Sequence, residues 1–250
     1  MPDDSLSQAT AEAIPAKIAI VIPAFNEAAL IGTVLRDIRS HCPYDIVVVD
    51  DASTDETVME AERAGAIVVP LAAQLGAWGA TQTGLRYALR KGFNTVVSMD
   101  ADGQHEAASL SALLQPVLSG QADVVVGACP ERGSPLRKLA WQLMKRVSGL
   151  ALEDITSGYR VYNYRALKEL ASWRATLLDY QDVGVLMLLQ AKGLRIIDKS
   201  VSMQPRLDGK SRIFHSWLIV GYYMSQTLVL GMSKRRFTKR RHPTGVKELT

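Results

Sequence analysis

Two carboxylates one residue apart, Asp100 and Asp102, follow directly on the apolar run 94–99. At i and i+2, where a buried strand gives way to a turn, both side chains can converge on one hard divalent cation. Mg²⁺ and Mn²⁺ take oxygen ligands, are commonly held by one or two carboxylates, and leave their other positions to water and phosphate oxygens. The pattern therefore points to a bound nucleoside diphosphate. An isolated Asp-x-Asp-Gly is more often a solvated turn, but here it has company. Pro23-Ala24-Phe25-Asn26-Glu27 follows the first apolar run of the chain, and Asp50-Asp51-Ala52-Ser53-Thr54-Asp55 the second. If these runs are parallel strands, their carboxylates meet at one edge and repel unless a cation, or the donors of a base and ribose, compensates them.

The elements that must position these groups are legible as alternation. Short β-branched runs at 17–22, 45–49, 66–69, 94–99 and 122–127 read as buried strands bounded by Pro, Asp or Gly. Between them, 27–40, 55–64, 79–91 and 109–118 carry helical periodicity, with Ser53-Thr54 as a capping stretch before the second helix. Strand–helix alternation predicts an α/β fold: a mostly parallel sheet flanked by helices, with ligands at the carboxyl ends of the strands. Beyond residue 130 the pattern is less regular. Helices are expected at 137–150 and 183–192, and strands at 158–164, 195–197 and 201–204.

Composition bounds the class. The 250 residues are 48% hydrophobic and 22% charged, as in a folded globular chain. Two cysteines, Cys42 and Cys129, make neither a disulfide framework nor a paired metal site, and suit a reducing, cytoplasmic setting. Residues 1–16 contain Asp3, Asp4 and Glu12 and lack the apolar core of a signal peptide, so a mobile tail is expected. No GxGxxG follows the first strand and no GxxxxGK[ST] occurs, which argues against a dinucleotide dehydrogenase and a P-loop NTPase. The net charge of +4 is uneven: residues 206–241 hold nine Lys and Arg against one acidic residue, Asp208, leaving 20 basic and 24 acidic residues elsewhere.

The segments PAFNE, VDDASTD, DADGQH and Asp154-Ile155-Thr156-Ser157-Gly158-Tyr159-Arg160, in this order, strongly resemble family 2 glycosyltransferases with a GT-A (Rossmann-like) fold. Within that family the chain looks most like the dolichyl-phosphate mannose synthase branch and its bacterial polyprenyl-phosphate relatives, from residue 18 to about 232. The resemblance implies roles. Pro23, Phe25 and Glu27 line the base and ribose pocket, and Asp51 with Asp50 hydrogen-bonds the base or ribose. Asp100, Asp102 and Gln104 hold a divalent metal, Mg²⁺ or Mn²⁺, that bridges the sugar-nucleotide diphosphate. The 74–80 segment, including Gly76 and Ala80, matches a Gly-rich loop whose backbone approaches the nucleotide. It departs from the family pattern at Gln74, where Asn is common, and at Trp78, where Gly is common; that ring either alters nucleotide choice or fills a gap. Arg160 is matched to a phosphate contact, the alternative being an ion pair with Asp154. Arg206, Lys210 and Arg212 match a basic loop over the diphosphate or the lipid phosphate.

Two questions about the acceptor stay open at this level. A hydroxyl acceptor needs a carboxylate base, for which Asp179 and Asp182 are candidates. A phosphate monoester, with a second pKa of about 6, needs none. Residues 217–232 are sixteen without a charge, shorter than the roughly 20 apolar residues of a spanning helix. They are followed by Lys234-Arg235-Arg236 and Lys239-Arg240-Arg241, which suits an in-plane segment on an anionic membrane surface and not nucleic acid. The expected organisation is a tail at 1–16, a catalytic domain at 17–212 and a membrane-associating, basic segment at 213–250. Within the catalytic domain, 17–128 is the nucleotide half and 129–212 the acceptor half. The resemblance implies an inverting, metal-dependent transfer from a nucleotide-diphosphate sugar to a polyprenyl phosphate at the cytoplasmic membrane face. A non-catalytic scaffold is the alternative of another class, and a sugar nucleotidyltransferase is disfavoured by the lack of a Gly-rich loop after the first strand. Sugar, base, lipid length and oligomeric state are not encoded in any spacing.

Overall fold

The computed structural model describes residues 15–129, 152–176 and 183–204, with 131, 142, 145–146 and 149–150 between them. Seven strands form one sheet: β1 (Ile18–Ala24), β2 (Asp45–Asp50), β3 (Ile67–Pro70), β4 (Thr95–Ser98), β5 (Val124–Ala128), β6 (Arg160–Asn163) and β7 (Ile196–Ser200). Their spatial order is β3-β2-β1-β4-β6-β5-β7. Every pairing is parallel except those of β6, which runs antiparallel between β4 and β5. Helices α1 (Ala28–His41), α2 (Thr57–Arg63), α3 (Gly76–Arg90) and α4 (Leu110–Leu118) cross over between strands, and α5 (Tyr164–Leu170), α6 (Trp173–Thr176) and α7 (Val183–Ala191) belong to the second half.

Side chains of a strand alternate between faces, and both faces here are covered. Ala19, Val21, Val47 and Val49 pack on one side with Leu85 and Ala88 of α3 and with Leu167 and Leu186 from α5 and α7. Ile20, Ile22, Ile46 and Val48 pack on the other, against Leu35 and Ile38 of α1 and Leu113 of α4. That is why the strands read as continuous apolar runs. Gly84 lets α3 lie against the sheet: a Cβ there would stand 2.3 Å from Val21 Cγ1 and 3.0 Å from Val49 Cγ2. Gly84→Ala is accordingly expected to cost about 1–3 kcal/mol by overpacking. Thermal unfolding would register this as a fall of about 2–4 °C per kcal/mol, and an unchanged melting temperature would refute it.

The first half follows the expected order of elements, while three features of the second half differ. The strands expected at 195–197 and 201–204 are one, Ile196–Ser200, followed by a single bridge between Met203 and His105. The polar run Asp198-Lys199-Ser200 breaks the apolar signal, yet it is tolerated because β7 is an edge strand and Asp198 accepts the Glu153 N–H. The strand expected at 158–164 ends at Asn163, whose side chain accepts the Ala166 N–H and starts a helix that periodicity did not announce. Opposite the site edge, buried Asp123 ties β5, β6 and β7 together through Asn163 Nδ2 (2.8 Å) and the Arg195 N–H (2.8 Å). Burial pushes its pKa up, but these bonds and the charges of Arg165 and Arg195 outweigh that and hold it below the ordinary carboxylate range. Most of the helix expected at 137–150 lies outside the described residues. Among the described residues no helix is long and apolar enough to cross a membrane.

Candidate active site

Because β1, β2 and β4 are parallel and in register, with Ala24 opposite Asp50 and Val21 opposite Ser98, the segments after them emerge at one edge. β6 begins at that same edge, with Arg160 opposite Ser98, so 154–159 joins them from the second half. The sheet thus assembles all four motifs.

The first two motifs are zipped to each other. Asn26 and Ala52 both adopt left-handed backbone, with φ of 53° and 61°. The Asn26 N–H donates to Ser53 Oγ (2.9 Å), and its side-chain oxygen accepts the Thr54 N–H (2.8 Å). Asp55 binds across the gap to the Ala28 N–H (3.2 Å) and also takes the Thr57 N–H (3.0 Å). Burial alone would raise the Asp55 pKa, but the Thr57 hydroxyl and these N–H donors bring it below the usual value. Helix α2 consequently starts at Thr57, two residues later than its capping stretch suggests. Pro23 and Phe25 are half-buried on this rim and Glu27 is buried.

Asp50 and Asp51, adjacent in sequence, have different surroundings. Asp51 is 3% exposed, and its two oxygens accept the N–H groups of Leu75 (2.7 Å) and Gly76 (2.9 Å). It caps α3 from across the sheet edge, which is why that helix begins at Gly76 and not at 79. Asp51 therefore supports the pocket wall, with one backbone N–H on each of its oxygens. Asp50 is equally buried; its Oδ2 accepts the Ser53 N–H (3.1 Å), and its Oδ1 has no hydrogen-bond partner.

The expected Gly-rich loop is helix. Ala80 is completely buried in the core, and the N–H of Gly76 is engaged by Asp51. Trp78 fills a gap: its ring is 7% exposed and its indole N–H donates to the Ala175 carbonyl (2.8 Å). With Gln82, which donates to the Leu170 carbonyl (2.8 Å), it stitches α3 to the α5–α6 corner.

Asp100 and Asp102 occupy the turn after β4. The Asp100 side chain is 41% exposed, whereas Asp102 is 8% exposed and accepts the Gln104 N–H (3.1 Å). Gly158 lies directly on Asp100, so close that a Cβ would stand 2.7 Å from Oδ1. Its carbonyl accepts from Ser98 Oγ (2.7 Å). Sequence reasoning left His105 without a role. It is 4% exposed, its Nδ1 accepts the Asp100 N–H (3.1 Å), and its ring stacks on Tyr159 with centroids 4.7 Å apart. A His five residues past the first carboxylate carries no periodic signal that would have found it.

Arg160 opens β6 at the same edge. It is 2% exposed, and its guanidinium donates to the carbonyls of Ser157 (2.7 Å) and Ile155 (3.2 Å). Buried there, it braces the 155–158 turn. Asp154 is fully buried too, but its Oδ1 caps Thr156, through the N–H at 3.0 Å and the hydroxyl at 2.8 Å. Asp179, Asp182, Arg206, Lys210, Arg212 and the apolar and basic stretches after them lie outside the described residues.

As a cation site the donor set is open. Among the described residues no three His, Cys, Asp or Glu side chains converge as a closed cage. Two carboxylates from one turn, one half-exposed, suit a hard cation that keeps several positions for water and phosphate.

The family description glycosyl transferase family 2 matches residues 19–173. An undecaprenyl-phosphate mannosyltransferase of Micrococcus luteus is 30% identical over 237 residues, spanning 88% of this chain and 96% of that protein. A UDP-N-acetylglucosamine–dolichyl-phosphate N-acetylglucosaminyltransferase of Methanococcus voltae is 30% identical over 183 residues, 62% of this chain and 72% of its own length. Among solved structures, glucosyl-3-phosphoglycerate synthase from Mycobacterium tuberculosis, in complex with Mn²⁺, UDP and phosphoglyceric acid, superposes with a TM-score of 0.66. It is 20% identical and covers 88% of this chain and 78% of its own, a likeness that speaks to the GT-A fold. With more than half of its residues matched by the family description and a relative aligned almost end to end, the chain belongs to glycosyl transferase family 2 and is a glycosyltransferase.

Proposed function

We propose that the enzyme transfers one sugar from a nucleotide-diphosphate donor to a polyprenyl phosphate, with inversion, at the cytoplasmic face of a membrane. One observation carries the donor half of this reading: a buried carboxylate oxygen without a partner, Asp50 Oδ1, shares a sheet edge with the Asp100–Asp102 pair. A buried acceptor left unsatisfied costs about 1–3 kcal/mol, and an N–H of a base or a ribose hydroxyl would satisfy it. Pro23, Phe25 and Glu27 line the adjoining rim. Asp100 and Asp102, with Gln104 beside them, would hold Mg²⁺ or Mn²⁺ against the diphosphate. The Mn²⁺ and UDP named for the mycobacterial neighbour support that assignment.

When bound, the metal supplies Lewis-acid neutralisation of charge on the departing diphosphate. The chain's own residues do the rest by placement. Asp50 orients the nucleoside, and Asp51 keeps the head of α3 docked beside it. Arg160 acts as a positioning residue, holding the 155–158 turn against the Asp100 carboxylate. The basic loop with Arg206, Lys210 and Arg212 would meet the phosphates.

The acceptor half rests on the Micrococcus and Methanococcus relatives, whose names specify undecaprenyl phosphate and dolichyl phosphate. An ionised phosphate monoester is already nucleophilic and needs no base. Incubation of the purified enzyme with undecaprenyl phosphate and labelled GDP-mannose, UDP-glucose or UDP-GlcNAc is expected to give a metal-dependent glycolipid. Asp182→Asn is expected to retain that turnover within about threefold, because general-base assistance, worth about 10²–10⁴-fold, is not in use. Turnover only with hydroxyl acceptors, lost in Asp182→Asn, would replace the lipid-phosphate reading.

A further inference from the structure

Among the described residues, His105 is the buried imidazole against the Asp100–Asp102 turn. Its Nδ1 accepts the Asp100 N–H at 3.1 Å, so in the neutral ring the proton sits on Nε2. Nε2 lies 3.7 Å from Asp100 Oδ2. The ring stacks on Tyr159 at an interplanar angle of 19°, and that phenol donates to the carbonyl of Glu106, the residue after His105. Burial raises the Tyr159 pKa, so the phenol stays a neutral donor. Gly158 also lies against the Asp100 carboxylate: a Cβ there would be 2.7 Å from Oδ1 and 3.0 Å from Oδ2.

One ring thus holds Asp100 by its backbone N–H and stands 3.7 Å from its carboxylate. Without that hold a half-exposed aspartate at a turn samples several rotamers, and fixing it before the cation arrives removes an ordering cost from binding. We propose that His105, stacked on Tyr159, is a positioning residue that pre-sets the Asp100 carboxylate for the metal–diphosphate, an inference that rests on the donor site proposed above. It contributes no metal ligand and no proton.

The test is Mn²⁺ binding read by electron paramagnetic resonance in the presence of GDP or of UDP, with no acceptor and no turnover. His105→Phe keeps the stacked ring and loses both nitrogens; it is expected to weaken Mn²⁺–nucleotide binding by about 10–100-fold, the range for loss of a group that orients a metal ligand. His105→Asn restores an acceptor at the place of Nδ1 and is expected to recover part of that loss, although it discards the stack and unfolds at lower temperature. Wild-type affinity in folded His105→Phe would overturn the proposal. Should His105→Phe fail to fold, the imidazole ¹⁵N signals of the wild-type enzyme decide: a proton on Nε2 supports it, and one on Nδ1 overturns it. Failure of the wild-type enzyme itself to bind Mn²⁺ with either nucleotide would overturn the donor site and this inference with it. Binding by the wild-type enzyme that is untouched in the variants would sink this inference alone.

Discussion

Asp102→Asn is expected to abolish metal-dependent donor binding and to lower turnover by about 10³-fold, the upper range for removing one preorganised electrostatic partner. The structure makes this a clean test. Asp102 is 8% exposed and accepts the Gln104 N–H at 3.1 Å. Asparagine keeps an oxygen for that bond and keeps the shape of the side chain, so the turn survives and the melting temperature should fall by no more than a few degrees. What disappears is one negative charge beside the cation. Calorimetry with GDP-mannose, UDP-glucose and UDP-GlcNAc, each with and without Mn²⁺, reads the effect directly. Metal-dependent binding that persisted in Asp102→Asn would remove the carboxylate pair from the metal site. Metal removal by chelation should reproduce the variant's loss in the wild-type enzyme.

Gly158→Ala is the second large effect expected, and it works by sterics alone. The residue needs no left-handed backbone, since positive φ among the described glycines falls at other positions. Its Cβ, however, would meet both Asp100 oxygens at 2.7 and 3.0 Å, and the Gly158 carbonyl is pinned by Ser98 Oγ at 2.7 Å. Something must shift, and the carboxylate is the softest neighbour. Donor binding should weaken by about 10²-fold, comparable with loss of a group that orients a metal ligand, while overpacking limits the cost in stability to about 1–3 kcal/mol. A double-mutant cycle assigns the cause: in an Asp100→Asn background, already deprived of its metal charge, Gly158→Ala should add little to the loss. Full additivity would mean that Gly158 acts through something other than Asp100.

The alternation of Val- and Ile-rich runs with amphipathic segments made the first half legible almost residue by residue, because burial on both faces of a parallel sheet imposes continuous apolar strands. The motif at 100–102 was legible for the same reason, since polar residues directly after such a strand stand at the ligand edge. Legibility failed where function depends on partners distant in sequence. Asp50 and Asp51 look equivalent as a pair, yet one caps a helix 24 residues away and the other keeps an orphaned oxygen. Arg160 reads by its motif as a phosphate contact, and only the structure shows that it braces its own turn. Trp78 looked ambiguous, and only the Ala175 carbonyl 97 residues later makes it a core residue.

By itself the sequence determined the α/β class of fold, which is written in local periodicity and composition, and the family, which is carried by the order of its motifs. Only the tertiary structure decided which carboxylate is available and which residues set the available one in place. That decision follows from strand order: inserting β6 antiparallel between β4 and β5 brings Gly158 and Tyr159 onto Asp100 and His105. No periodicity records such a crossing, since the free energy that selects it comes from burying both sheet faces at once and is spread over the whole core.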